Sequence, residues 1–250
     1  MIKIIDLWKK YGNKDVLQGV NLEVDEGEIL VILGRSGSGK SVLLRHIMGL
    51  EKPDAGSIEI EGVRINDLSG NELYKVTKDM GMLFQASALF DSMTIAENTA
   101  FFLHEHRPHE DIGDKVEHAL SMVGLEGAGN LMPSELSGGM KKRAALARMI
   151  VYHPKILLYD EPTTGLDPTT AMQINDLILK TQKELKGTSI VVTHDLCSTL
   201  HVAKRIALIH EGRMAYIKEK NEFLRIDDPL VQTFLANSIP DGEYILRRRS

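Results

Sequence analysis

Gly34-Arg35-Ser36-Gly37-Ser38-Gly39-Lys40-Ser41 has the spacing G-x-x-x-x-G-K-[ST] of a phosphate-binding loop. Its glycines let successive backbone N–H groups converge on phosphate oxygens, and a helix beginning there adds a favourable N-terminal dipole. Lys40 supplies a positive charge for the β- and γ-phosphates, and the Ser41 hydroxyl can ligate Mg²⁺. Far along the chain, Ile156-Leu157-Leu158-Tyr159-Asp160-Glu161 ends an apolar run on two adjacent carboxylates. Strand alternation sends them to different places. Asp160 can hold Mg²⁺ through its water shell, while Glu161 can face a water beside the γ-phosphate and act as its general base. The chemistry these two segments suit is phosphoanhydride hydrolysis.

Weaker signals accompany them. Leu136-Ser137-Gly138-Gly139-Met140 opens a helical run, so its N-terminus is either a second anion site or an ordinary serine cap. Gln85 follows the strand-like "MGMLF", from where it can reach a metal or its water, or simply face solvent. His194 ends "SIVVT", where an imidazole can touch a γ-phosphate or serve a local hydrogen bond. Tyr11, in "KKYGNKD", is either a stacking platform for a base or a turn tyrosine. "TTGLDP" places Asp167 and Pro168 at a helix start.

These residues need a scaffold. Strands are expected at 2–6, 20–24, 29–33, 58–60, 80–84, 156–160, 189–193, 206–209 and 214–217. The continuous runs "ILVIL" and "ILLYD" suit central strands of a parallel sheet covered on both faces. The early runs, punctuated by "YGNKD", "DEG" and "PDAG", read as antiparallel hairpins. From 86 to 152 strand signals vanish. Thr94 and Glu97 form a capping-box pattern, and helices are expected at 111–123 and 137–151, as an α-helical insertion between two strands of one sheet. The fold class is α/β, one domain over 1–240 with a tail at 241–250 ending in Arg247, Arg248 and Arg249.

Composition sets limits on function. The 250 residues are 43% hydrophobic and 26% charged with a net charge of −5, an ordinary globular balance that offers no basic footprint for nucleic acid. Cys197 is the single cysteine, so no disulfide can form within the chain and a reducing compartment is expected. No apolar run approaches the roughly 20 residues of a membrane span, and the first residues lack the pattern of a signal peptide.

The ordered set of Tyr11, "GRSGSGKS", Gln85, "LSGGM", "ILLYDE", "GLD" and His194 resembles the ATP-binding cassette (ABC) ATPases over nearly the whole chain. That resemblance implies a P-loop fold: a RecA-like parallel core with an antiparallel β-subdomain and an α-helical subdomain. It implies ATP and Mg²⁺ as ligands, with Tyr11 on adenine and Gly34 to Ser41, with Val42, forming the Walker A segment. Asp160 becomes the Walker B aspartate, Glu161 the catalytic base and His194 the switch histidine. Gln85 becomes the residue sensing a transmembrane partner, and Asp167 part of the D-loop. It further implies a head-to-tail dimer in which Ser137, Gly138 and Gly139 meet ATP bound to a second copy. Met140 departs from the common "LSGGQ", but the serine and glycine donors remain.

Val42, the run Ser87-Ala88-Leu89-Phe90-Asp91 and Met140 with its basic run are similar to the ATPases of Mce/Mla-type lipid transporters. A motor for phospholipid transport is then implied, peripheral on the cytoplasmic side of the inner membrane. Its partners would be an integral membrane permease, an Mce-domain substrate-binding protein and a small STAS-domain regulator. The alternatives are an importer of polar amino acids or other small solutes, and a soluble ABC ATPase of iron–sulfur cluster assembly.

Overall fold

The computed structural model describes residues 1–106 and 111–236. The alternating and the continuous apolar runs separate into two sheets. β1 (Ile2–Tyr11), β2 (Lys14–Val24), β4 (Ala55–Ile60) and β5 (Val63–Arg64) make an antiparallel sheet in the order β2-β1-β4-β5. β3 (Ile29–Leu33), β6 (Met80–Leu83), β7 (Ile156–Asp160), β8 (Thr188–Thr193), β9 (Arg205–His210) and β10 (Arg213–Glu219) make the second, in the order β10-β9-β3-β8-β7-β6. Its pairs are parallel except for the β9–β10 hairpin at one edge.

Every residue of β3, β7 and β8 is buried, as strands covered on both faces must be. Alternation along β3 divides two apolar cores. Leu30 and Ile32 pack with the antiparallel sheet and α1 (Lys40–Ile47), whereas Ile29, Val31 and Leu33 pack on the helical side. On that side lie α3 (Ile95–His106), α4 (Gly113–Met122), α5 (Gly138–Ile150) and α6 (Pro168–Leu185), with the short α7 (Leu196–Val202). Although β6 and β7 are neighbours, α3, α4 and α5 intervene in the chain. The remaining helices are α2 (Gly70–Thr77), α8 (Lys220–Phe223) and α9 (Pro229–Ala236). Among the described residues no helix is long and apolar enough to cross a membrane.

The Thr94–Glu97 capping box forms in both directions, with Glu97 accepting from the Thr94 N–H at 2.7 Å and Thr94 Oγ1 accepting from the Glu97 N–H at 3.2 Å. One turn on, fully buried Asn98 ties the preceding segment down. Its Oδ1 accepts from Phe90 N at 2.8 Å, and its Nδ2 lies 3.0 Å from the carbonyls of Phe90, Met93 and Thr94. Asn98→Ala would strand these backbone groups away from water. A loss of about 2–3 kcal/mol in unfolding free energy is expected. An unchanged denaturation midpoint would contradict that ordering role.

The first two strands extend beyond the runs expected from sequence. β1 continues from residue 6 to Tyr11 across a bulge at Asp6, whose φ of 47° shifts the register between Ile4 and Leu7. A bulge breaks the period-two pattern from which strands are read. Tyr11 therefore terminates a strand, just before the tight turn at Gly12. α2 has no fully buried residue, and only Leu73 and Val76 pack against the core beside the antiparallel sheet. The tail at 241–250, with Arg247 to Arg249, lies outside the described residues.

Candidate nucleotide-hydrolysis site

The phosphate loop connects β3 to α1, and its glycines are there for close approach. A Cβ on Gly34 would lie 2.7 Å from the Ile209 carbonyl, and one on Gly39 would lie 2.8 Å from the Val16 carbonyl, with φ already at +102°. The loop is thus pressed between β9 and β2 and turns sharply into α1. Lys40 is only 4% exposed. Its Nζ curls back to donate to the carbonyls of Gly34 (2.8 Å) and Arg35 (3.1 Å), keeping the cation over the loop. Inside the same loop the buried hydroxyl of Ser38 has no hydrogen-bond partner among the described residues. Such an unspent donor suits an anionic ligand.

Parallel strands bring the distant carboxylates to the same sheet end. Asp160, the last residue of β7, accepts from the Ser41 hydroxyl at 2.7 Å. Burial pushes its carboxyl pKa up, against the opposing pull of Ser41 and Lys40. Glu161 follows with φ at +47°, a conformation a non-glycine residue adopts at some cost. That turn aims its carboxylate back at the phosphate loop. Glu161 Oε1 lies 3.2 Å from Lys40 Nζ, while Oε2 meets His194 Nδ1 at 2.8 Å and accepts from Thr164 Oγ1 at 3.0 Å. A buried carboxylate with a cation on one side and an imidazole on the other can take a proton from a water at the pocket mouth.

The pocket around these groups has a volume of about 540 Å³. Of the residues singled out from sequence it is lined by Tyr11, Ser36, Gly37, Gly39, Lys40, Ser41, Val42, Gln85, Glu161 and His194. Gly34 and Arg35 border it through the carbonyls that hold Lys40, and Asp160 through Ser41.

Ser137, Gly138, Gly139 and Asp167 do not line this pocket. They form a second group where two helices start together. The Ser137 Oγ caps α5 by accepting from Met140 N at 3.3 Å, and Asp167 Oδ1 caps α6 by accepting from Thr170 N at 3.0 Å. A Cβ on Gly139 would lie 2.5 Å from the Thr170 methyl, so only glycine permits this contact. The side chain of Met140 packs on the helical core.

Several participants were not singled out from sequence. Lys14, Val16 and Thr164 line the pocket. Lys142 and Arg148, both on α5, reach the loop after β6. Lys142 Nζ donates to the Gln85 carbonyl, and Arg148 donates to the carbonyls of Ala88 (2.7 Å) and Ser87 (3.1 Å). Ser87 and Ala88 both have positive φ, so this loop is held in an uncommon shape by cations from the neighbouring helix. Burial lowers the Lys142 pKa, against the fields of Asp160 and Glu161. Thr164 had a local signal, the turn "EPTTG" directly after the acidic pair, and Lys142 lies in the basic run after Met140.

Residues 17–164 match the family model described as ABC transporter. The chain belongs to the ABC transporter ATPases. Over 233 residues it is 45% identical to the methionine import ATP-binding protein MetN of Clostridium tetani, covering 92% of this chain and 73% of that one. It is 41% identical to the intermembrane phospholipid transport system ATP-binding protein MlaF of Haemophilus influenzae, covering 94% of this chain and 90% of that one. Among solved structures, the ATP-binding cassette MJ0796, a dimer in a post-hydrolysis state bound to ADP and Pi, superposes with a TM-score of 0.80. It is 34% identical and covers 88% of this cassette and 98% of its own chain. The cassette is an ATPase with an α/β P-loop fold, as its motifs implied.

Proposed function

We propose that this cassette is the ATP-hydrolysing subunit of a phospholipid transporter, working on a separate integral membrane permease. The hydrolytic half of the reading rests on one observation above all, the Glu161 carboxylate held between Lys40 and His194 at the phosphate loop. Tyr11 stacks on adenine, and the N–H groups of the loop from Ser36 to Ser41 and Val42 receive the phosphates. Lys40 turns from the loop carbonyls to the β- and γ-oxygens. Glu161 orients the attacking water and accepts its proton at Oε, while His194 holds that carboxylate and borders the γ-phosphate.

Ser41 and Asp160 would hold Mg²⁺. Two hard oxygens 2.7 Å apart, one a carboxylate lacking full compensation for its burial, fit an ion that retains several waters. The ion would neutralise phosphate charge.

Ser137, Gly138 and Gly139, with Asp167 beside them, lie outside the pocket and so suit a different role. They face ATP held by a second copy, giving a head-to-tail pair with two composite sites; that MJ0796 was solved as a dimer bound to ADP and Pi supports pairing of cassettes. Gln85 relays the state of the site to the permease. A groove of about 520 Å³ beside its loop, lined by Met48, Met82, Phe84, Phe101, Phe102 and Tyr152 among others, suits an amphipathic permease segment. The complex would sit on the cytoplasmic face of the inner membrane.

Phospholipid as cargo draws support from similarity to MlaF and from the signature residue Met140 with its basic run. Similarity to MetN supports a second reading, import of an amino acid such as methionine. Affinity purification from detergent-solubilised membranes tests the choice. Co-purification of a multi-span permease with an Mce-domain protein, and of a STAS-domain protein, is the expected result. A permease accompanied by an amino-acid-binding protein would overturn the lipid reading, and an iron–sulfur assembly complex as sole partner would overturn the motor itself.

A further inference from the structure

Tyr11 is 42% exposed at the end of β1, a place where an aromatic ring ordinarily samples several rotamers. Here it is restrained at two points. Its hydroxyl donates to Glu51, whose other oxygen takes an ion pair from Arg45 Nε at 2.8 Å. Lys9 Nζ lies 5.4 Å from the ring centroid. That ammonium is itself tied to the Lys52 carbonyl at 2.9 Å and to Asp54 Oδ1 at 3.3 Å. The segment from Glu51 to Asp54 thus holds both the hydroxyl and the covering cation.

The segment is in turn fixed to α1. Gly49 N donates to the His46 carbonyl at 3.0 Å and Leu50 N to the Arg45 carbonyl at 2.9 Å, closing the helix C-terminus. Arg45 belongs to the last turn of α1, and Lys40 is its first residue. One rigid helix therefore carries the phosphate loop at its start and, through Arg45 and Glu51, the hold on Tyr11 at its end. Charge states agree with this arrangement. Burial and the neighbouring Glu51 carboxylate raise the Tyr11 pKa, keeping the hydroxyl a donor. Although burial opposes it, the Tyr11 bond and Arg45 keep the Glu51 pKa below the usual range.

We infer that Glu51 is a positioning residue for nucleotide binding, anchored by Arg45 and locking the Tyr11 ring in the orientation that receives the base, at a distance from the phosphate loop set by α1. The inference rests on the proposed stacking of Tyr11 on adenine. A ring ordered beforehand loses less freedom when ATP binds, which is how preorganisation strengthens affinity.

Equilibrium binding of ATP and of inorganic tripolyphosphate, which has no base, separates this role from general support of the loop. Glu51→Ala should weaken ATP about two- to ten-fold and leave tripolyphosphate unchanged. Glu51→Gln, which keeps an acceptor oxygen, should recover most of the loss. Tyr11→Phe keeps the ring but not the hydroxyl, so it should match Glu51→Ala, and combining the two should add nothing. If Tyr11→Ala weakens ATP while Glu51→Ala does not, the positioning role is wrong and the stacking stands. If Tyr11→Ala itself leaves ATP unaffected, the stacking reading fails and takes the inference with it. Equal losses for ATP and tripolyphosphate in Glu51→Ala would reassign Glu51 to the loop and overturn the inference. Should Glu51→Ala not fold, Tyr11→Phe decides alone, since unchanged ATP affinity in that variant removes the hydroxyl's part.

Discussion

Glu161→Gln should lower steady-state ATP hydrolysis by about a hundred- to ten-thousand-fold, the span that a positioned general base contributes, and leave ATP binding intact. Glutamine has nearly the same shape, so the bonds from Thr164 and His194 still find an acceptor oxygen. What disappears is the capacity to take a proton and the negative charge 3.2 Å from Lys40. Removing that charge also removes repulsion toward the γ-phosphate. ATP affinity should therefore stay level or rise, and a nucleotide-bound dimer that cannot hydrolyse its ATP should accumulate on size exclusion. Near-normal turnover by this variant would withdraw Glu161 from its role.

Lys40→Ala should fail one step earlier, at binding. Lys40 is nearly buried, and its ammonium is presented over the loop by the Gly34 and Arg35 carbonyls before any phosphate is engaged. Removing one partner of a desolvated, charge-assisted contact costs about 2–5 kcal/mol, so ATP affinity should fall by about thirty-fold to several thousand-fold. The substitution also deprives Glu161, itself 7% exposed, of its cation, leaving His194 and Thr164 as its neighbours. Calorimetric titration with ATP checks this directly. The two variants form a matched pair: one binds without turnover, the other binds poorly. A Lys40→Ala protein with wild-type ATP affinity would mean that the backbone cradle, not the ammonium, dominates recognition.

The groups proposed to do chemistry were legible because their letters are contiguous and their order along the chain is fixed. The phosphate loop, the acidic pair and His194 each follow an apolar run that had to become a buried strand, and parallel pairing of those strands aligns their ends. What holds these groups in place was far less legible. Lys142 meets Gln85 from 57 positions away, and Tyr11 meets Glu51 from 40 positions away. Glu51 has nothing in its immediate neighbourhood to mark it, and Lys142 is marked only as one letter of the basic run after Met140. The left-handed backbone at Glu161, Ser87 and Ala88 falls on residues that ordinarily avoid it, so composition could not announce it. The bulge at Asp6 hid the second half of β1, and with it the fact that Tyr11 is delivered by a strand. Ser137 and Asp167 looked like helix caps and are helix caps. The further use proposed for them depends on a second molecule.

That dependence is the core of the account, and mixing two inactive variants tests it most directly. Lys40→Ala disables the phosphate loop, and Ser137→Arg would place a bulky cation where the second copy's nucleotide must fit. Each alone should be close to inactive. In a head-to-tail pair containing one of each, one site gathers both lesions and the other has none. Hydrolysis by an equimolar mixture should therefore return to as much as about a quarter of the wild-type rate, half of the pairs being mixed with one good site each. A mixture as inactive as its components, under conditions where mixed pairs are shown to form, would contradict the composite site.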